Sequence, residues 1–331
     1  IAIKHGICLK ERDKADMDGF YKELGETMEL VRDQLLERFE IQCNKRIYNF
    51  PFLLGQGLWI DSEKLKPGDK LKKVLKHGTL TVGFIGLAEC LKALTGKHHG
   101  ESEESQKLGL EIIGFMRNKA NEFAKDYNLN FTLIATPAEG LSGRFVNIDR
   151  AMYGKIKGVT DRGYYTNSFH VPVDLSVNYR EKIDMEGNFH RLCNGGSITY
   201  IELNEMPGIN VEAVKEIVEY AAQYDVTVMV EDFPNALLPM ATSDQMQALL
   251  DGAPGLKLIL DTGNMLAQKQ SPVEFTEKLI DYVVHVHLKD IEYPENATTG
   301  DIDCDGRRMW NAHHGRAERG RSRGHTKAYS S

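Results

Sequence analysis

The chain has 331 residues, 41% of them apolar and 27% charged, with a formal net charge of −7. That is room and apolar content for one large α/β domain or two ordinary ones, and the acidic balance excludes broad nucleic-acid binding by the whole chain. Cys8, Cys43, Cys90, Cys193 and Cys304 form no CxxC pair, so neither a disulfide framework nor a zinc ribbon is encoded, and a reducing cytoplasm is the expected setting. No apolar run reaches the length of a membrane span, the N-terminus lacks the regions of a signal peptide, and the opening Ile1-Ala2-Ile3 reads as the start of a fragment.

In chain order, the first element is an amphipathic helix from Lys14 to Phe39, with Met17, Phe20, Leu24, Met28, Val31, Leu35 and Phe39 forming one buried stripe. Asn49 to Ile60 reads as an apolar, glycine-broken loop and Lys64 to Lys76 as a solvated lysine-rich face. Thr79 to Val82 is extended, and Leu87 to Leu94 is a helix stopped by Gly96. Gly83 and Gly86 lie where strand becomes helix, so backbone there can approach a ligand closely. Cys90 reads as core, and His98 and His99, beside an acidic run, as surface loop. A second long helix spans Ser105 to Tyr127.

Phe131 to Ala135 is a buried strand that Pro137 ends. Thr136, Glu139, Gly140, Leu141, Ser142, Gly143 and Arg144 follow as a glycine-relieved turn. Such a turn exposes several N–H groups and can cradle phosphate or carboxylate. An ordinary turn with a Glu139–Arg144 ion pair is the other reading, since Gly-Leu-Ser-Gly matches no phosphate fingerprint. Beyond it, Asn167, Ser168 and His170 sit in a polar-aromatic stretch suited to a polar ligand or to structural roles. Ser197 to Leu203 is a strand, and Asn210 caps a helix to Tyr224. Helices alternating with strands give an α/β class.

Ile1 to Tyr224 resembles the catalytic domain of the anaerobic (class III) ribonucleoside-triphosphate reductases, which are glycyl radical enzymes. The resemblance is carried by IAIKHG at Ile1, KHGTLTVGFIGLAECLKALTG at Lys76, TPAEGLSGRF at Thr136, GVTDRGYYTNSFHVPV at Gly158 and SITYIEL at Ser197. It implies part of a ten-stranded α/β barrel in which a glycyl radical generates a cysteine thiyl that acts on the ribose of a ribonucleoside triphosphate. Formate or a thiol supplies the electrons, a radical-SAM enzyme activates the parent protein, and the parent is a homodimer. The resemblance places the Thr136 loop at the substrate's phosphates and puts the phosphate reading first, with Gly83, Gly86, Asn167 and His170 lining the substrate. The family's thiyl cysteine and radical glycine fall outside the matching segments, and no cysteine here takes the radical role. The expectation is therefore a chain without turnover of its own.

A different pattern starts near Val226. Val226 to Asn235, Leu256 to Asn264 and the run from Tyr282 are strands ending in Glu231, Asp261 and His287. Helices begin at Thr242 and at Ser271-Pro272, the latter an S-P-x-E start. Successive strands that each bring a carboxylate or imidazole to their C-terminal end assemble metal sites in TIM barrels. The segment resembles a sugar phosphate isomerase/epimerase barrel of the xylose isomerase-like superfamily, which implies that Glu231, Asp261 and His287 hold a divalent metal. Solvation of a barrel rim is the alternative for the same groups. Residues 293–331 end in an arginine-rich, aperiodic tail read as disordered, with a basic nucleic-acid arm as the other reading. The expected organisation is thus 1–224 reductase barrel, 225–292 isomerase-like TIM-barrel fragment and 293–331 tail. They are joined without a linker, as in a chimeric reading frame.

Overall fold

Residues 1–9, 13–51, 53–138, 140–201, 210–233, 240–267 and 270–288 are described by the computed structural model. They divide into two compact units, Ile1–Ile201 and Glu202–Ser331. Glu139 and the tail over 293–331 lie outside the described residues.

In the first unit α1 (Ala2–His5) and α2 (Met17–Cys43) precede α3 (Lys72–Leu75), β1 (Thr79–Gly83), α4 (Leu87–Thr95), α5 (Glu103–Tyr127), β2 (Asn130–Ile134), α6 (Gly140–Tyr153) and α7 (Tyr179–His190). Asp16 caps α2 by accepting the Gly19 N–H, and the helix buries Phe20, Leu24 and Met28, the start of the expected stripe. Ser102 caps α5, which Asn128 ends at φ 51°. Glycines bracket α4: Gly86 enters at φ 77° and Gly96 leaves at φ 85°. β1 and β2 pair in parallel from Thr79 opposite Asn130 to Gly83 opposite Ile134. Their apolar side chains meet α4 and α5 in a core that includes Leu91, Ile113, Phe131 and Leu133, each worth about 2 kcal/mol when fully buried.

Two expectations change here. The strand over Ser197 to Leu203 is, among the described residues, a single parallel bridge from Ser197 to Ala135; Ala135 takes the Ile198 N–H and gives its own N–H to Gly196, and Leu133 O takes the Gly195 N–H, so the third strand position is held by three backbone hydrogen bonds rather than a ladder. The lysine-rich stretch is not solvated throughout, because Leu71 and Val74 are buried with Leu54 in a satellite cluster.

The second unit contains α8 (Val211–Ala221), β3 (Met229–Glu231), α9 (Ser243–Gly252), β4 (Lys257–Asp261), α10 (Thr262–Ala267), α11 (Pro272–Leu279) and β5 (Val283–His287). The strands form a parallel sheet in the order β3-β4-β5. Thr242 and Gln245 make a reciprocal capping box for α9, and Ser271 caps α11 with Pro272 in its first turn. Leu258 and Leu260 of β4 pack with Met246, Leu250, Phe275 and Leu279, and Val218 brings α8 into the same core. On β3 and β5, Met229, Val284 and Val286 are exposed.

Candidate functional site

Because β1 and β2 are parallel, Gly83 and Ile134 end at the same edge of their sheet. Carboxyl ends of parallel strands are where α/β folds place ligands. Just beyond, Ile85 bridges to Asn167. Gly86 N–H donates to Thr166 O at 2.8 Å and Leu87 N–H to Ser168 O at 3.1 Å. Asn167 Oδ1 accepts the Ala138 N–H at 3.2 Å, and Ser142 O accepts the Tyr165 N–H at 3.3 Å. These bonds bring Gly86, Asn167, Ala138 and Ser142 together beside Gly83.

The glycine-relieved turn expected over Gly140–Arg144 is instead the first turn of α6. Pro137 breaks the strand, but the two glycines do not break the helix that follows. Part of the chemistry survives the change, since this turn sits at the positive end of the α6 dipole, although Ala138 O already takes the Leu141 N–H at 3.0 Å. Gly140, Leu141 and Arg144 are exposed, and Thr136, Ser142, Gly143 and Asn167 are half-buried.

Glu89, which sequence reasoning passed over, supports this edge from beneath. It is buried, and its Oε1 accepts both the Thr166 N–H at 3.1 Å and the Thr166 hydroxyl at 2.7 Å. Burial pushes its carboxyl above the ordinary range, with the Thr166 bonds acting in the opposite direction. The signal was its place three residues into a glycine-led helix.

His170 belongs to a buried polar network. Glu186 Oε2 accepts from His170 Nδ1 at 3.2 Å and from the Thr199 hydroxyl at 3.1 Å. Its Oε1 accepts the Val171 N–H at 3.0 Å and the Lys182 ammonium. Burial opposes ionisation of Glu186, yet His170 and Lys182 hold it down at about 2. His190 bonds Ser197 Oγ at 2.7 Å and Thr199 Oγ1 at 2.9 Å, and burial lowers it to about 4. Of these residues only His170 was singled out from sequence. The missed signal was the Asn178–Glu181 capping pair that starts α7. His98 and His99, expected on the surface, are buried. The left-handed Gly96 turns the chain back, and His99 Nε2 meets Phe169 O at 2.8 Å. Burial lowers His99 to about 4.

In the second unit, β3, β4 and β5 end in Glu231, Asp261 and His287. One ligand atom from each lies within 4.8 Å of the others. His287 Nδ1 is 3.1 Å from Glu231 Oε1 and 3.5 Å from Asp261 Oδ2. The other oxygen of Asp261 is occupied by the Gly263 and Asn264 N–H groups at 3.0 and 3.3 Å, which aims Oδ2 at the triad. Two carboxylates and an imidazole are a donor set for a divalent cation of intermediate softness, so the residues fit a metal. Burial raises the Glu231 carboxyl, against the pull of His287. Asp232, the second of the two carboxylates that end this strand, is buried and accepts the Asp261 N–H at 2.6 Å.

A family model described as anaerobic ribonucleoside-triphosphate reductase matches residues 6–231. The chain belongs to this family. The reductase blocks starting at Lys76, Thr136, Gly158 and Ser197 all fall inside that range. The anaerobic ribonucleoside-triphosphate reductase of Salmonella typhimurium is 34% identical over 216 residues, covering 64% of this chain and 30% of that protein. The reductase of Enterobacteria phage T4 is 33% identical over 207 residues, 62% of this chain and 32% of the phage protein. The chain therefore spans 30–32% of the length of these reductases. A crystal structure of the anaerobic ribonucleotide reductase from Thermotoga maritima with glycerol in the active site aligns over 62% of this chain and 31% of that one, at 21% identity and a TM-score of 0.46. A second model, xylose isomerase-like TIM barrel, matches residues 209–318, so α8 lies within both matches.

Proposed function

We propose that the first unit seats the triphosphate of a ribonucleotide at the carboxyl ends of β1 and β2, as part of the catalytic barrel of an anaerobic ribonucleoside-triphosphate reductase. One observation carries the reading. In a chain of this family, Gly83, Gly86, Asn167 and the first turn of α6 meet at one edge of a parallel sheet. A helix N-terminus there favours an anion through its dipole, and Arg144 adds a full positive charge. Thr136, Glu139, Gly140, Leu141, Ser142 and Gly143 complete the phosphate seat in this reading, and Gly83, Gly86, Asn167 and His170 line the sugar side. The sheet is then a portion of a ten-stranded barrel occupying residues 1–224. A glycyl radical, formate or thiol reductant, a radical-SAM activating enzyme, a homodimeric parent and a cytoplasmic location belong to the same reading. The test is thermal unfolding of the full chain with and without ATP. A rise in melting temperature that Arg144→Glu removes supports the seat, and a rise unchanged in that variant refutes it.

A second reading is favoured by the convergence of Glu231, Asp261 and His287. In this reading the isomerase-like segment over 225–292, within the second unit, holds a divalent metal in the manner of a sugar phosphate isomerase/epimerase. Bound there, such a cation polarises a carbonyl or hydroxyl of a sugar. Glu231 and Asp261 supply the negative charge that retains it, and His287 supplies a neutral nitrogen.

A further inference from the structure

Hydrogen-bond direction around Glu186 is determined by which groups own a proton. An ionised carboxylate only accepts, so the 3.2 Å contact to His170 makes Nδ1 the donor. The Thr199 hydroxyl has one hydrogen, and it goes to Glu186 at 3.1 Å. In the 2.9 Å contact between Thr199 Oγ1 and His190 Nε2 the ring nitrogen must then donate, which leaves His190 Nδ1 to accept from the Ser197 hydroxyl at 2.7 Å. The two histidines are held in opposite tautomers. His190 has both nitrogens in use. His170 does not: its Nε2 is closed to solvent and has no hydrogen-bond partner among the described residues.

On a neutral His170 ring with its proton on Nδ1, Nε2 is a buried lone pair, which is costly unless something donates to it. The location indicates what does. The His170 N–H bonds Asn167 O at 3.0 Å, and the Asn167 side chain bonds Ala138 at the entrance to α6. The His170 ring also lies 5.7 Å from that of Tyr200, just past the third strand position. The His170 backbone is thus one turn from Asn167 at the proposed phosphate seat.

We infer that Glu186 is a positioning residue that holds His170 with its proton on Nδ1, so that Nε2 accepts a hydrogen bond from a sugar hydroxyl of the bound ligand. The ligand class rests on the nucleotide reading above; the tautomer does not. A carboxylate orienting an imidazole in this way raises the basicity of the far nitrogen and fixes its direction, as it does for metal-bound and catalytic histidines.

The experiment is nitrogen-15 NMR of the full chain labelled at histidine, followed by titration with ATP and, separately, with inorganic tripolyphosphate. The expected spectrum has His170 in the Nδ1–H form and His190 in the Nε2–H form, with Glu186→Gln converting His170 to a tautomer mixture. ATP is expected to shift the His170 Nε2 signal and tripolyphosphate to leave it in place. His170→Gln, chosen to stay polar opposite Glu186, is expected to weaken ATP binding about five- to tenfold and tripolyphosphate not at all. An Nε2–H form in the unmodified chain overturns the assignment of Glu186. An ATP affinity unchanged in His170→Gln overturns the hydroxyl contact while leaving the phosphate seat standing. Failure of both ATP and tripolyphosphate to bind removes the seat, and with it the ligand named here.

Discussion

Asp232 Oδ1 accepts the main-chain N–H of Asp261 across 2.6 Å, tying the end of β3 to the end of β4. The main-chain oxygen of Asp232 takes the Asn264 amide at 2.7 Å as well. A residue outside the triad thus sets the spacing at which Glu231 and Asp261 converge. Asp232→Ala leaves a buried N–H without its acceptor, which costs about 1–3 kcal/mol. Hydrogen exchange of the β4 amides is expected to report that loss. Burial raises the Asp232 carboxyl from 3.8 to about 7, opposed by the Asp261 N–H bond. The folded unit therefore holds a proton that the unfolded chain has released. Its contribution to stability is complete below the unfolded value and is lost as pH rises through the folded one. Asp232→Asn, which keeps an oxygen for Asp261, is expected to flatten that slope.

Metal binding gives the triad a direct test. A cation that binds only the folded unit stabilises it by about 2.7 kcal/mol at a hundredfold excess over Kd. Thermal unfolding of the full chain with manganese is expected to show a rise that a chelator reverses. Glu231→Gln removes a ligand charge and His287→Ala a ligand nitrogen, and both are expected to abolish the rise without changing the metal-free transition, since both side chains are only half-buried. An equal rise in His287→Ala would mean that the cation sits elsewhere.

The strands of the second unit were legible because each combines an apolar run with a chemically distinct terminal residue, and Ser271-Pro272 and Thr242 announce their helices. Similarly, the α4 boundaries followed from Gly86 and Gly96. What was hidden shares one physical cause: composition was read as position. Gly140 and Gly143 read as breakers in the sequence, although α6 carries Leu141, Phe145, Ile148 and Met152 at helical spacing. That stripe is exposed, so its periodicity did not report burial. His98 and His99 were assigned to the surface from their acidic neighbours, while the turn at Gly96 carries them inward. Glu186 could not be found from spacing at all, because its partners His170 and Thr199 lie 16 and 13 residues away on opposite sides. The place of α8 was ambiguous for a further reason. An amphipathic helix leading into a strand suits either parent fold, and both family matches include it.

The first unit should lose stability in acid before its carboxylates titrate. Burial lowers His99 and His190 from 6.5 to about 4. Between those values the unfolded chain binds protons that the folded unit does not, so stability rises with pH across the window and falls as pH drops from 6.5 toward 4. Glu186 adds a second loss below its unfolded value of 4.5, as pH falls toward its folded value of about 2. Denaturation midpoints measured at intervals through this range are expected to decline in both windows. His99→Phe is expected to reduce the upper slope, because it removes a proton acceptor exposed only on unfolding. Unchanged midpoints between pH 6.5 and 4 would mean that neither imidazole is held neutral by burial.

Gly83 and Gly86 were grouped as places where a ligand approaches the backbone, and the structure separates them. Gly86 has φ 77°, and a Cβ there would meet Glu89 Oε2 and Tyr165 Cβ at 3.4 Å. Gly86→Ala therefore costs about 1–2 kcal/mol from the left-handed backbone alone. Gly83 has ordinary strand geometry, and its added Cβ would make only a normal contact with Ile134 Cγ2 at 3.6 Å. Gly83→Ala is expected to stay within about 0.5 kcal/mol of the parent chain in stability. If ligand backbone or phosphate packs on this exposed strand end, the same substitution weakens ATP binding while leaving unfolding unchanged. Paired measurement of unfolding and ATP affinity in the two variants distinguishes the roles. A Gly83→Ala chain that binds ATP as well as the parent would confine the ligand to the α6 side of the sheet edge.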